Sequence, residues 1–222
     1  MSRIIVITGT DTGVGKTLLT ALLARHLRAR GVNVAALKPL CSGGRDDARA
    51  LHRALDGALT LNEINPWHFR APLTPLLAAR MEKRRVSLRA VTAQVRRIAK
   101  RFDVVLVEGA GGLLSPLGEN FSTRELIGAL NAEAFIAAPN RLGVMNHLRL
   151  TLEALPPRFA QRARIILMSP KKADAASRTN LPLLAEFMDG KRVIEFPFLP
   201  NLKNLSPSAT NSVRRALASL LD

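Results

Sequence analysis

GTDTGVGKT, residues 9–17, stands between an apolar run at residues 3–8 and a stretch with helical spacing. The run reads as a parallel strand buried on both faces. From Lys16 to about Arg30, Leu19, Leu22, Leu23 and Leu27 recur on one helical face, and Gly31 stands where a helix-ending glycine belongs. A strand-to-helix turn of this composition is suited to phosphate. Its small residues, Gly13, Val14 and Gly15 after Thr12, let backbone N–H groups converge on phosphate oxygens. Lys16 supplies charge for the β- and γ-phosphates, Thr17 a hydroxyl for Mg2+, and the helix N-terminus partial positive charge. The pattern G-x-x-x-x-G-K-T fails by one residue: Thr10 holds its first glycine position, and the glycine is Gly9.

Outward from this turn the chain alternates strand and helix. Val32–Leu37, Val104–Val107, Ala134–Ala138, Arg164–Met168 and Arg192–Phe196 read as further strands, giving about six. Helices are expected near 46–55, 88–101, 123–130, 145–154, 178–188 and 209–221. Ser87 is a cap for the 88–101 helix, whose Leu88, Val91, Val95 and Ile98 form a core-facing stripe. Alternation of this kind predicts a three-layer α/β fold, a central mostly parallel sheet with helices on both faces. Ligands in such folds bind at the carboxyl ends of the strands. There is no repeat, no low-complexity segment and no long linker, so residues 1–222 are expected to form a single domain.

Composition narrows the class. Hydrophobic residues make up 47 % of the chain, which implies a folded core, and no apolar run approaches the roughly 20 residues of a membrane helix. Cys41 is the sole cysteine, which excludes an intrachain disulfide and suits a cytoplasmic enzyme. Its surroundings in sequence mark it as a small buried filler. The 33 basic and 17 acidic residues leave a net charge of +16, with clusters at Lys83-Arg84-Arg85, Arg96-Arg97 and Lys171-Lys172. That charge would attract nucleic acid or anionic membrane non-specifically. With aromatics at 4 % and no basic tail, it reads as a basic solvated surface with no specific nucleic acid and no membrane partner. The histidines at 26, 52, 68 and 147 have no metal-ligand spacing.

Two further segments carry chemistry. VVLVEGAGG, residues 104–112, ends a buried strand in Glu108, a carboxylate placed to hold Mg2+ beside the phosphate turn. Gly109 and Gly111 after it allow close backbone approach to a ligand. Lys38-Pro39-Leu40-Cys41-Ser42-Gly43-Gly44 follows the second strand; Lys38 can stabilise developing negative charge, with Ser42 as a nearby donor. Asp46 and Asp47 offer a further metal carboxylate, and the sequence leaves open which of them reaches the metal.

GTDTGVGKT, KP-x-x-SG at 38–43, NPWHFRAPLTP at 65–75, VEGAGG at 107–112 and LGVMNH at 142–147 occur in one order. In this the chain resembles the dethiobiotin synthetases, over about residues 4–147, and so a P-loop NTPase-like fold. The resemblance implies an ATP-dependent, Mg2+-requiring ligase of biotin biosynthesis that forms C–N bonds. Its substrates would be 7,8-diaminononanoate, CO2 or bicarbonate, and ATP, and its route a carbamate and a carbamic-phosphoric anhydride. Lys16 and Lys38 would then be catalytic. Thr17, Asp47 and Glu108 would serve the metal, and Thr12, Lys38, Ser42 and Gly111 the diamine. The resemblance also implies a homodimer with its active site at the interface, where Leu142, Gly143, Val144 and Asn146 come from the partner. On the base side it points to Ser169, Pro197, Phe198 and Leu199. There Ser169-Pro170 stands where relatives commonly carry Asn-Asp, and Asn201 replaces a common acid, which suggests that other nucleoside triphosphates are accepted too. The rival reading is a ParA/MinD-like switch ATPase binding DNA or membrane. Such proteins carry a lysine where Asp11 stands here. A cobalamin-type amidating ligase would need a glutaminase domain for which 222 residues leave no room.

Overall fold

The structure is a computed structural model that describes residues 2–188, 193–199 and 207–221. In chain order the elements are β1 (Arg3–Gly9), α1 (Lys16–Ala29), β2 (Val34–Leu37), β3 (Leu40–Ser42), α2 (Asp46–Ala54), α3 (Leu61–Ile64), β4 (Trp67–Phe69), α4 (Pro75–Met81), α5 (Leu88–Ala99), β5 (Val104–Glu108), α6 (Thr123–Leu130), β6 (Glu133–Pro139), α7 (Val144–Glu153), α8 (Pro157–Ala160), β7 (Arg164–Met168), α9 (Ala175–Phe187), β8 (Val193–Phe196) and α10 (Pro207–Ser219).

Six strands pair in the order β2-β5-β1-β6-β7-β8, every pair parallel. The apolar runs explain why. Ile5, Val6, Ile7, Val105, Leu106, Val107, Phe135 and Ile136 are fully buried, so each strand needs cover on both faces. Helices α1 and α10 pack together over one face, while α5 and α6, and α7 with α8 and α9, cover the other. The chain leaves β1 toward β2 on one side, and later crosses to β6 on the other. The reversal opens a crevice at the carboxyl end of β1, where such sheets take ligands.

The six expected strands and seven expected helices are all present, with ends displaced by a few residues; Arg192 lies outside the described residues. Gly31 ends the first helical segment at φ 78°, with Val32 N–H donating to the Leu27 carbonyl. Ser87 caps α5, accepting from the Ala90 N–H at 3.2 Å. Three short helices and a second, two-stranded parallel sheet of β3 and β4 were not expected. That small sheet hangs the segment 65–75 beside the crevice. Asn65, buried, fixes it by donating to the Lys38 carbonyl at 2.7 Å, and Arg45 binds the Leu61 and Asn65 carbonyls. No helix among the described residues is long and apolar enough to cross a membrane.

Candidate active site

A cavity of about 650 Å3 opens where β1, β2 and β5 end. Thr12, Gly13, Gly15, Lys16, Thr17, Lys38, Ser42, Asp47, Glu108 and Gly111 all line it, so the sequence-expected residues of the phosphate turn, the metal set and the diamine set converge. The turn is shaped by Gly15, the residue before α1, at φ 93°, a backbone state that other residues adopt only with strain. Gly9 shows why the glycine pattern is shifted by one. A Cβ there would lie 2.6 Å from Val14 Cγ2 and 3.0 Å from the Ala137 carbonyl of β6. Thr10 is under no such restriction. Val14 is buried against Gly9, so only its backbone is available to a phosphate. Asp11 accepts from the Thr12 N–H at 2.6 Å and puts its carbonyl on Lys16 Nζ at 2.7 Å.

Charge is concentrated at the far end of the cavity. Lys38 Nζ lies 2.6 Å from Glu108 Oε1 and 3.1 Å from Asp47 Oδ2, and donates to the Gly109 carbonyl at 3.0 Å. Thr17 Oγ1 donates to the same Glu108 oxygen at 2.7 Å. Burial works against the Lys38 charge, but Glu108 and Asp47 outweigh it and hold its pKa above the usual lysine value. Asp47 is likewise penalised by burial, yet Lys38 holds it below the usual carboxylate range. Lys16 has no such paired carboxylate. Burial, and then the neighbouring Lys38 charge, lower its pKa to about 8.

Of the two aspartates, Asp47 lines the cavity and Asp46 does not. The Asp46 side chain is 95 % exposed and pairs with Arg49 at 2.7 Å. Thr17, Asp47 and Glu108 present only oxygens, and Glu108 Oε2 is buried with no hydrogen-bond partner. Two carboxylates and a hydroxyl beside a phosphate site suit Mg2+, which keeps several waters and takes its other ligands from substrate phosphates. Among the described residues no group of three or more His, Cys, Asp or Glu side chains is placed to hold a metal ion together.

Several wall residues were missed in the sequence. Pro72, Leu73, Thr74 and Pro75 form one side of the cavity, and Leu18, Ala110 and Ser115 contribute elsewhere. The signal was present in NPWHFRAPLTP, but nothing in its residue types marks a loop as a wall. Ser115 buttresses Gly111, which has φ 71° and whose Cβ would collide with the Ser115 side chain. Cys41 is buried as expected, but it also lines the cavity, and burial pushes its thiol pKa up. Ser42 donates to the Leu73 carbonyl, tying the two walls together.

Other expected residues stand apart from the cavity. Ser169 and Pro197 line a smaller depression with Glu195, next to the phosphate turn because Met168 packs on Gly15. Phe198 is exposed and Leu199 half-buried, while Pro200 and Asn201 lie outside the described residues. Leu142 is 85 % exposed, and Gly143, the N-cap of α7, has φ 90°. The Val144 side chain is buried in the core, where the first turn of α7 packs on the sheet.

Curated relatives decide the family. An ATP-dependent dethiobiotin synthetase of an Anaeromyxobacter species is 44 % identical over 79 % of this chain and 80 % of its own. That of Akkermansia muciniphila is 35 % identical over 84 % and 88 %. The chain belongs to the dethiobiotin synthetase family. Residues 3–206 also match the family described as an AAA domain. Among solved structures, the pNOB8 ParA bound to nonspecific DNA has a TM-score of 0.61 at 13 % identity, covering 100 % of this chain and 98 % of that one. Cobyrinic acid a,c-diamide synthase from Mycobacterium smegmatis has 0.57 at 16 %, covering 100 % and 95 %. At such identity these share the fold alone with this dethiobiotin synthetase family member, so the switch-ATPase reading is the weaker.

Lys16 gives a prediction about the ligand-free protein. A pKa lowered from 10.5 to about 8 means that folding disfavours the charged form, by roughly 3 kcal/mol at most. Below pH 8 both folded and unfolded chains are protonated and the cost is fully present; between about 8 and 10.5 the unfolded chain binds more protons and the cost fades. Lys16→Met is therefore expected to raise the melting temperature at pH 7 by several degrees, with the gap closing as pH rises toward 10.5. A gap independent of pH in thermal melts would refute this.

Proposed function

We propose that the chain is an ATP-dependent dethiobiotin synthetase, acting in the cytoplasm as a single domain that pairs into a homodimer. The observation that carries this reading is the gathering of Lys16, Lys38, Thr17, Asp47 and Glu108 around one cavity, in a chain 44 % identical to a curated member of that family. One amine of 7,8-diaminononanoate takes up CO2 as a carbamate. A carbamate oxygen attacks the γ-phosphorus of ATP and ADP leaves, giving a mixed anhydride. The second amine attacks the carbonyl carbon, phosphate departs, and the ring closes with release of protons.

The central difficulty is bringing two anions together, and the residues answer it. Backbone N–H groups from Gly13 to Thr17 cradle the phosphates, with Lys16 over the transferring group. Lys38, fixed by Glu108 and Gly109, faces the carbamate oxygens together with Ser42 and Thr12. Thr17, Asp47 and Glu108 would hold Mg2+, which when bound neutralises charge between the β- and γ-phosphates. No histidine lines the cavity, and none is required, since in-line positioning supplies much of the rate. The exposed Leu142 and the N-terminus of α7 with Asn146 are offered to a second copy, whose cavity they would complete for the substrate carboxylate.

Phosphate release with MgATP and bicarbonate is expected to depend on diaminononanoate, to fall at least a hundredfold in Lys16→Ala, and to yield dethiobiotin by mass spectrometry. Release indifferent to the diamine would overturn the reading.

On the base side Ser169 Oγ gives its one proton to Glu195 Oε1 at 2.8 Å, leaving no amide-like donor and acceptor pair for adenine. Phosphates then carry most of the nucleotide recognition. The kcat/KM values for ATP, GTP and CTP are expected to lie within a hundredfold of one another, and a larger preference for ATP would contradict this.

A further inference from the structure

Residues 83–102 contain eight basic side chains and no acidic one. Most of them are presented by α5 and the turn before it. Arg89, Arg96, Arg97 and Lys100 are exposed and fall at i, i+7, i+8 and i+11, one stripe about 16 Å long on the face of α5 opposite its buried Val91, Val95 and Ile98. Lys83 and Arg85 extend it beyond the helix start. Arg84 and Arg101 do not join the stripe. They are drawn to Glu82 at 3.7 Å and Glu63 at 2.7 Å. Among the described residues Lys83, Arg89, Arg97 and Lys100 have no ion pair, and Arg96 spends one nitrogen on the Ala129 carbonyl at 2.7 Å.

Helix stability does not account for this arrangement. Cations suit the last turn of a helix, but Arg89 lies in the first turn of α5, which carries no acid to offset it. Arg96 and Lys100, and Arg97 and Arg101, are like-charge pairs at i, i+4, each slightly destabilising. A local preference violated several times on one exposed face, with the opposite face packed normally, marks a surface kept for a partner.

We propose that this α5 stripe binds the phosphate backbone of duplex nucleic acid, without sequence preference. The chemistry of the stripe selects this occupant. Three of its four helical cations are arginines, whose guanidinium forks match phosphate oxygens. The other outward positions of the helix, Ala90 and Ala93, are too small to insert into a lipid surface, and the large apolar residues of α5 are buried. The stripe has no aromatic side chain for stacking unpaired bases, so single strands gain nothing over a duplex. A 16 Å face spans about five phosphates of one strand, enough to engage four cations.

The test is fluorescence anisotropy with a labelled random-sequence 30-base-pair duplex. Four phosphate contacts predict that affinity falls about a hundredfold between 50 and 200 mM salt. The quadruple variant R89Q/R96Q/R97Q/K100Q is expected to bind at least tenfold more weakly at 50 mM salt and to lose about 3 to 4 from the salt slope. A second variant, R25Q/R30Q/R53Q/R162Q, removes the same charge from other exposed positions and is expected to stay within about threefold of the wild-type affinity. Unchanged diamine-dependent turnover certifies that both are folded. Equal weakening in the two variants, no duplex binding at 50 mM salt, or binding to phosphatidylserine vesicles in preference to duplex would each overturn the proposal.

Discussion

A lysine and a glutamate buried 2.6 Å apart, Lys38 and Glu108, are the constraint on which the site depends. Neither charge would be tolerated alone, because burying an unpaired ion costs several kcal/mol even after relaxation. Each sits at the end of a strand, and β2 and β5 are neighbours in the sheet, so the parallel register fixes their separation. Thr17 comes from the first turn of α1 and Asp47 from that of α2, and both close on the same pair. The segments that follow β1, β2 and β5 thus deliver one charge cluster to the crevice where the strand order reverses. Lys16 stands beside it without a paired carboxylate, and burial first, then the neighbouring Lys38 charge, lowers its pKa. A ligand rich in negative charge relieves that strain.

Much of this was legible in the sequence because the residues concerned leave few alternatives. Runs such as Ile4–Ile7 and Val104–Val107 are apolar at every position, which only a doubly covered strand explains. Glycines at 13 and 15 before Lys16 and Thr17 have one common physical purpose. What stayed hidden depends on tertiary packing. The three-residue strands β3 and β4 carry no periodicity, and they exist because Asn65 and Arg45 pin the intervening loop. Thr60 and Glu63 form a capping box that marks α3, yet a helix of four residues leaves no apolar stripe to read. The cavity wall from Pro72 to Pro75 is ordinary loop sequence, given a role only by where the β3–β4 sheet places it.

Packing also decides questions that residue types leave open. Asp46 and Asp47 are indistinguishable in sequence, but the helical rotation of about 100° between them points one into the cavity and the other into solvent. The displaced glycine of the phosphate turn is explained by Gly9, pressed against Val14 and β6, rather than by anything the phosphates require. On the base side, the serine that replaces an amide is drawn into a network with Glu195 and Asn140, so the carboxyl ends of β6, β7 and β8 are tied to one another before any nucleotide arrives.

The most direct measurement of the central claim is Mn2+ affinity, read by electron paramagnetic resonance in the presence of a non-hydrolysable ATP analogue. Glu108→Gln and Asp47→Asn are each expected to weaken metal binding at least tenfold, because each removes one of only two carboxylates from the cluster. Asp46→Asn is expected to leave it within twofold of wild type. If Glu108→Gln binds Mn2+ as the wild type does, or if Asp46→Asn weakens binding as much as Asp47→Asn, the cluster around Lys38 is not the metal centre.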